Sequence, residues 1–296
     1  MPYAGELSAL ATAVLWTGSA IAFAAATVRV GSVYVNVVRL VIAVVLLFLT
    51  IVIFDIQIHV SAVQLMFLSL SGLTGFVFGD TFLFKSYEYN DARIGSLLMS
   101  SAPAMTALMA FLFLNETLSF TGILGMTITL SGIALVVLER REPSTHHIPI
   151  SMNGVFYAFL GAAGQAGGMI FAKSAFTLGP INGFVATFVR AFAATVLLAP
   201  LNYFAGRFTE PKKIFLTDPK AFRFTLLGSI LGPYLGVTFS LIAISRTDVA
   251  IAATLIALVP IIMLPTVWIL FREKLTWRAI VGACIAVAGV GILFFR

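Results

Sequence analysis

Along this chain the apolar residues come in long unbroken runs, and the polar residues are gathered into short gaps between them. Ten such runs stand out, at about 6–27, 33–54, 62–89, 92–114, 119–138, 153–177, 183–205, 223–245, 249–271 and 279–295. Each approaches or exceeds the roughly 20 residues an α-helix needs to cross the hydrocarbon core of a bilayer. Membrane-barrel strands would alternate apolar and polar residues over about ten positions, whereas these runs are continuously apolar, so the pattern predicts helices. Only two gaps are long, Glu139–Met152 and Gly206–Phe222.

The pattern also repeats. Asp91-Ala-Arg-Ile94 and Asp248-Val-Ala-Ile251 lie 157 residues apart. The same offset superposes Gly75 on Gly232, Gly79 on Gly236, Thr81-Phe82 on Thr238-Phe239, Pro103 on Pro260, Glu116 on Glu273, Gly125 on Gly282 and Gly132 on Gly289. With slightly shorter offsets, Arg39 falls on Arg190 and Gly5 on Gly154. The chain therefore divides into a first five-helix unit (1–138), a connecting loop (139–152) and a second five-helix unit (153–296), forming one integral membrane domain. Five is odd, so the second unit enters the membrane from the opposite face and the repeats are inverted. The predicted fold is an all-α membrane protein with ten transmembrane helices, arranged as two inverted five-helix repeats around a central cavity.

Composition strengthens this reading. Hydrophobic residues make up 60% of the chain and charged residues 10%, against about 25% charged in a soluble domain. That leaves too few charges to clothe a water-facing surface, and the 27 Phe exclude disorder. A net charge of +6 does not point to nucleic acid, because no dense basic stripe with interleaved aromatics is present. The basic residues mark loops instead. The gap Asp55–Ser61 has no Lys or Arg, whereas its repeat equivalent carries Arg207, Lys212, Lys213, Lys220 and Arg223. Asn115-Glu116-Thr117 is likewise free of basic residues, and its equivalent holds Arg272, Lys274 and Arg278. Equivalent loops with opposite bias are expected on opposite faces, and the positive-inside rule puts both termini outside. Ala22-Phe23-Ala24 has the look of a signal cleavage site, but Met1–Glu6 lacks the required basic residues, so the first run reads as a retained helix. Cys284 is the single cysteine, which excludes an intrachain disulfide and a cysteine metal motif.

These repeated motifs resemble the ten-helix EamA-type branch of the drug/metabolite transporter superfamily. One copy runs through Asp91–Ile94, Ser96, Leu98, Pro103, Phe113–Leu118, Gly125 and Gly132. The other runs through Asp248–Ile251, Leu255, Pro260, Leu270–Leu275, Gly282 and Gly289. Trp16-Thr17-Gly18 is similar to the family's Trp-Gly region, with Thr inserted. The resemblance implies a carrier of amino acids, other metabolites or drugs. It also implies cytoplasmic termini, from which the charge bias of this chain departs.

Candidate chemistry rests on polar residues inside the runs, where a charge is costly and marks function by default. Asp80 is the deepest carboxylate, and its repeat equivalent is Val237. It reads either as an ion-coupling group that takes up and releases a proton or as the partner of Lys85, Arg39 or Arg190. Arg39 and Arg190 read either as receptors for a substrate carboxylate or as locks on helix ends. Lys85, Glu88 and Lys173 lie near run ends and read as interfacial. Ser96, Met99 and Ser100 share a stripe beside Pro103, whose missing N–H opens a helix. Trp16, Ser19 and Phe23 form a second group, opposite Gln165 and Met169 of the second repeat. Tyr234 and Thr238 are an i, i+4 hydroxyl pair, and Phe78 and Thr254 complete the candidate substrate-binding set. Gly161, Gly164, Gly167 and Gly168 read as close-packing positions, Asp91 and Asp248 as helix N-caps, and Glu116 and Glu273 as structural turn residues. His146-His147 is too sparse for a metal site, and neither metal nor cofactor is expected.

The leading function is a secondary active transporter exporting small amphipathic metabolites by alternating access, with proton coupling through Asp80 as one option. The alternatives are a lipid or polyprenyl-phosphate carrier, and a membrane-embedded enzyme. The enzyme reading lacks a paired carboxylate or His-Glu-x-x-His site at depth, and the absence of a phosphate-binding G-x-x-x-x-G-K-[ST] loop disfavours ATP drive. The expected partners are a small-molecule substrate and membrane lipid, the expected state is a monomer or homodimer, and the expected location is a prokaryotic cell (inner) membrane.

Overall fold

The structure, a computed structural model, describes residues 3–89, 99, 101–117, 119–138, 151–210, 216–259, 261–263 and 277–294. Every regular element among them is helical. In lipid no water replaces a lost backbone hydrogen bond, so a long apolar run satisfies its own N–H and C=O groups as a helix. The first repeat holds α1 (Ala4–Val30), α2 (Ser32–Ile53), α3 (Ala62–Gly72), a π-helical segment π1 (Leu73–Gly79), α4 (Asp80–Tyr89), α5 (Ala102–Leu114) and α6 (Phe120–Leu138). The second holds α7 (Met152–Thr177), α8 (Gly183–Phe204), α9 (Pro219–Ser229), π2 (Ile230–Gly236), α10 (Val237–Arg246), α11 (Val249–Ile256) and α12 (Trp277–Phe294). Among the described residues six helices are long and apolar enough to cross a membrane, and shorter apolar helices lie at 102–114, 120–135, 249–263 and 280–292.

Local chemistry sets the boundaries. Gly31 turns the chain between α1 and α2 at φ 85°, a left-handed value that favours glycine. Its N–H donates to the Thr27 carbonyl. α3 opens on a capping box: the Gln64 N–H donates to Ser61 Oγ at 3.2 Å, and the Ser61 N–H donates to Gln64 Oε1 at 3.0 Å. Asn115 ends α5 in the left-handed region, at φ 53°. Arg29 lies in the last turn of α1.

The two π-helical segments occupy repeat-equivalent positions, 157 residues apart. Sequence places a helix irregularity at Pro103, and the chain does turn at Ser101, between helical Met99 and the start of α5 at Ala102. Pro103 lies in the first turn of α5, where its missing N–H costs no intrahelical bond. Pro260 lies outside the described residues. A π turn carries one extra residue per turn and often marks a functional site; here each one re-aims the residues that follow it, Asp80 after π1 and Val237 after π2.

Glycines let these rods approach. On α6 and α12, a Cβ at Gly289 would stand 2.5 Å from the Thr129 backbone nitrogen and 2.8 Å from the Gly125 carbonyl oxygen. Gly132 meets Ala286 and Gly282 in the same way. Gly125/Gly282 and Gly132/Gly289 are repeat equivalents, so this contact relates the two copies directly.

Candidate functional site

Asp80 begins α4 immediately after π1 and is buried. Of the three cations considered as its partners, Arg39 is the one in contact: Arg39 Nη2 donates to Asp80 Oδ2 in an ion pair. Arg39 Nε also donates to Asn36 Oδ1 at 2.9 Å, one helical turn earlier in α2. Gln165 of α7 supplies a further donor, its Nε2 standing 2.8 Å from Asp80 Oδ1. The same nitrogen reaches toward the Gly75 carbonyl of π1 at 3.5 Å. Lys85 lies instead over the Tyr157 ring, 4.7 Å from its centroid. The carboxylate is thus held from two repeats at once.

Arg190, the repeat equivalent of Arg39, is placed differently. It is 5% exposed. Its guanidinium lies over the Phe76 ring at 5.2 Å, and its Nε has no hydrogen-bond partner. α3 holds its backbone in place, since a Cβ at Gly72 would collide with the Arg190 carbonyl.

The glycines of α7 pack where sequence suggested, with one exception. A Cβ at Gly164 would stand 2.6 Å from the Gly79 Cα, one at Gly168 3.1 Å from the Gly75 Cα, and one at Gly161 3.2 Å from the Leu83 nitrogen. Ser71 Oγ donates to the Gly168 carbonyl. Gly167 has open space beside it.

The remaining candidates divide. Ser19 is buried and its Oγ donates to the Gly228 carbonyl at 2.9 Å. Trp16 packs on Gly236, and Phe23 packs on Gly228 and Gly232, so this stripe of α1 fills a glycine groove on α9–π2. Phe23 also lies under the Arg39 guanidinium at 5.5 Å. Tyr234 bonds Thr50 of α2 hydroxyl to hydroxyl at 2.8 Å, while Thr238 donates to the Tyr234 carbonyl and to Thr187 Oγ1. The two side chains therefore serve different neighbours rather than forming a pair. Thr254 is fully buried and its hydroxyl returns to the Ala250 carbonyl. Met169 packs at the edge of the apolar core. Phe78 is exposed and meets Phe82 edge-on. Met99 is half-buried. Ser96, Ser100, Asp91, Glu273, His146 and His147 lie outside the described residues.

At one end of the bundle a second polar group joins the repeats. Glu116 Oε2 accepts from the Val249 N–H at 3.0 Å and so caps α11 from the other repeat. Asp248 occupies the N-cap position but its side chain makes no capping bond, which corrects the expected role. Lys173, expected at the interface, donates to the Ile244 and Thr247 carbonyls at 2.7 and 2.9 Å and lies 3.6 Å from Glu116. It caps the end of α10. Glu6 accepts from Thr247 Oγ1, and Gln64 Nε2 donates to the Ala175 and Gly179 carbonyls. Burial pushes the Glu116 carboxyl above its ordinary value, against the pull of Lys173 and the Val249 bond. The opposite end shows a more exposed pair, Arg29–Asp218 at 2.9 Å. The Ala221 N–H and Arg29 hold Asp218 below its ordinary value.

Sequence reasoning missed Asn36, Thr50, Phe76 and the cross-repeat role of Glu116. Asn36 alone had a readable signal, its i, i+3 spacing from Arg39.

A family profile described as the EamA-like transporter family matches residues 3–138 and again 152–295. A WAT1-related protein of Arabidopsis thaliana, At5g64700, is 34% identical over 166 residues, covering 53% of this chain and 41% of that protein. The match thus spans less than half the length of that curated relative. A solved structure, titled only as the crystal structure of a protein, superposes with a TM-score of 0.77 at 17% identity and covers 98% of this chain and 95% of its own. That likeness shows the fold.

Proposed function

Because the chain belongs to the EamA-like transporter family, and is thus a multi-pass membrane transporter of the drug/metabolite superfamily, we propose that it is a secondary carrier. In this reading it exports small amphipathic metabolites, amino acids or related compounds among them, by alternating access. The observation that carries the reading is the Arg39–Asp80–Gln165 group, which ties α2 and α4 of one repeat to α7 of the other directly after a π-helical turn. A buried ion pair is costly to keep and easily rebalanced by a proton, and here Gln165 of the second repeat shares its carboxylate. Protonated Asp80 releases Arg39, and the π1 and π2 segments supply the soft points about which the repeats rock. The unequal ends support the same cycle, with buried ties through Glu116 and Lys173 at one end and the exposed Arg29–Asp218 pair at the other. The charge bias of the loops supports placing the basic end on the cytoplasmic face of the membrane.

The test is flux from liposomes holding the purified protein under an imposed pH gradient. Wild type is expected to move amino acids or related metabolites faster with the gradient than without it. Asp80→Asn is expected to abolish that acceleration, and acceleration that survives the substitution overturns the coupling role. Absence of any solute flux from wild type overturns the carrier reading.

A further inference from the structure

We propose that Arg190 is the receptor for an oxyanion on the transported solute, a carboxylate or a phosphate, with Gln165 accepting a hydrogen bond from a neighbouring donor on the same molecule. The proposal rests on the carrier reading and names the chemistry of its substrate.

A guanidinium at membrane depth is tolerated when it is paired or faces a polar space. Arg190 is 5% exposed and its Nε is orphaned. Among the described residues no carboxylate makes an ion pair with it. Asp80, the carboxylate within Coulombic reach, is already engaged by Arg39 and Gln165. At the repeat-equivalent position the second repeat carries Val237. Two arginines therefore share one acid. The Phe76 ring covers the guanidinium face but does not accept from the N–H groups at its edge, which are the groups that bind an oxyanion side-on.

Glycine at position 75 is what lets that edge stand so close to the backbone of π1. A Cβ there would stand 3.3 Å from Arg190 Nη2 and 3.9 Å from Gln165 Oε1. A charged donor and an amide acceptor thus border the same backbone position. The Gln165 nitrogen is the atom engaged with Asp80 and Gly75, which leaves its oxygen as the acceptor beside Gly75. An oxyanion with an O–H or N–H donor on the adjacent carbon matches both.

The test uses full-length protein in detergent and reads the shift in melting temperature with lactate, citrate and glycerol phosphate, against lactamide and glycerol as uncharged controls. A ligand that binds only the folded state raises that temperature. At least one oxyanion is expected to stabilise wild type where its uncharged counterpart does not. A carboxylate-only or phosphate-only response identifies which oxyanion is taken. Arg190→Met is expected to weaken the effect about thirtyfold or more in apparent affinity, and Gly75→Ala to weaken it by crowding Arg190 Nη2. Ligand-free Arg190→Met is expected to melt no lower than wild type, because it removes an uncompensated charge. Equal shifts for charged and uncharged compounds, no shift with any oxyanion, or a lower ligand-free melting temperature in Arg190→Met would each overturn the proposal. Liposome flux of the stabilising oxyanion that is unchanged in Arg190→Met would sink the Arg190 role while leaving the carrier reading in place.

Discussion

Two helix crossings in this molecule are repeat equivalents and are built in opposite ways. In one, α1 meets α9–π2 by inserting Trp16, Ser19 and Phe23 into a groove floored by Gly228, Gly232 and Gly236. In the other, α7 meets α3–π1 glycine against glycine, Gly164 on Gly79 and Gly168 on Gly75. Where α1 has Trp16, α7 has Gln165, and where α10 has Val237, α4 has Asp80. Both exchanges add polarity to the same crossing. The first is therefore an apolar knob-in-groove contact, and the second brings backbones close enough for Gln165 to reach Asp80. An inverted repeat supplies two similar frames, and the chemistry comes from the positions where the copies diverge.

The largest expected effect separates the crossings by what can yield. Gly164→Val places its Cβ against the Gly79 backbone, which cannot rotate aside. Loss of a monodisperse species on size-exclusion chromatography is expected, while Gly167→Ala, with open space beside it, is expected to elute as wild type. Next comes the charge asymmetry. Asp80→Asn strips Arg39 of its counter-ion, and an unfolding cost of about 3–5 kcal/mol is expected, as when one partner of a buried pair is removed. Replacing both members in Arg39→Met/Asp80→Leu is expected to recover most of that stability, and no recovery would show that the pair holds the crossing together. At the apolar crossing Gly228→Ala presses on the Phe23 ring, a side chain that can be trimmed. Thermal unfolding is expected to show a loss of about 1–3 kcal/mol, relieved by Phe23→Leu.

The smallest effect concerns the polar tie at the end of the bundle. In the folded state burial holds the Glu116 carboxyl above its ordinary value, so the folded chain binds that proton more tightly than the unfolded chain. Its contribution to stability is fully present below the ordinary carboxylate value and is lost as pH rises through the raised one. Melting temperature followed upward from about pH 4.5 is expected to fall more in wild type than in Glu116→Gln, which keeps an acceptor for Val249 without titrating. Parallel curves would remove Glu116 as the source.

Much of this architecture was legible beforehand, because it depends on composition and period. Long apolar runs become helices in lipid whatever their neighbours, and a repeat of five spans inverts by counting alone. The close-packing glycines at 161, 164 and 168 and the solitary Asp80 could be named from their setting in an apolar run. The partner of Asp80 could not be chosen among Lys85, Arg39 and Arg190, because all three lie far from it along the chain or on another face of the bundle. The π turns were not legible either: Gly75 and Gly79 signal a tolerant backbone, but the extra residue per turn depends on the helices packed around them. Glu116 reads as a turn residue until the fold brings the start of α11 to its carboxylate.

By itself, then, the sequence determined that this chain lives in a membrane, that it is two inverted five-helix units, and which few polar residues lie at depth. Those properties follow from transfer free energy and helical period, which act residue by residue. Only the tertiary structure decided that Arg39 takes the one deep carboxylate and that Arg190 is left over Phe76 without one. That choice depends on which rods touch, and it was made by glycine contacts between residues distant in the chain, as Gly72 is from Arg190, 118 positions on.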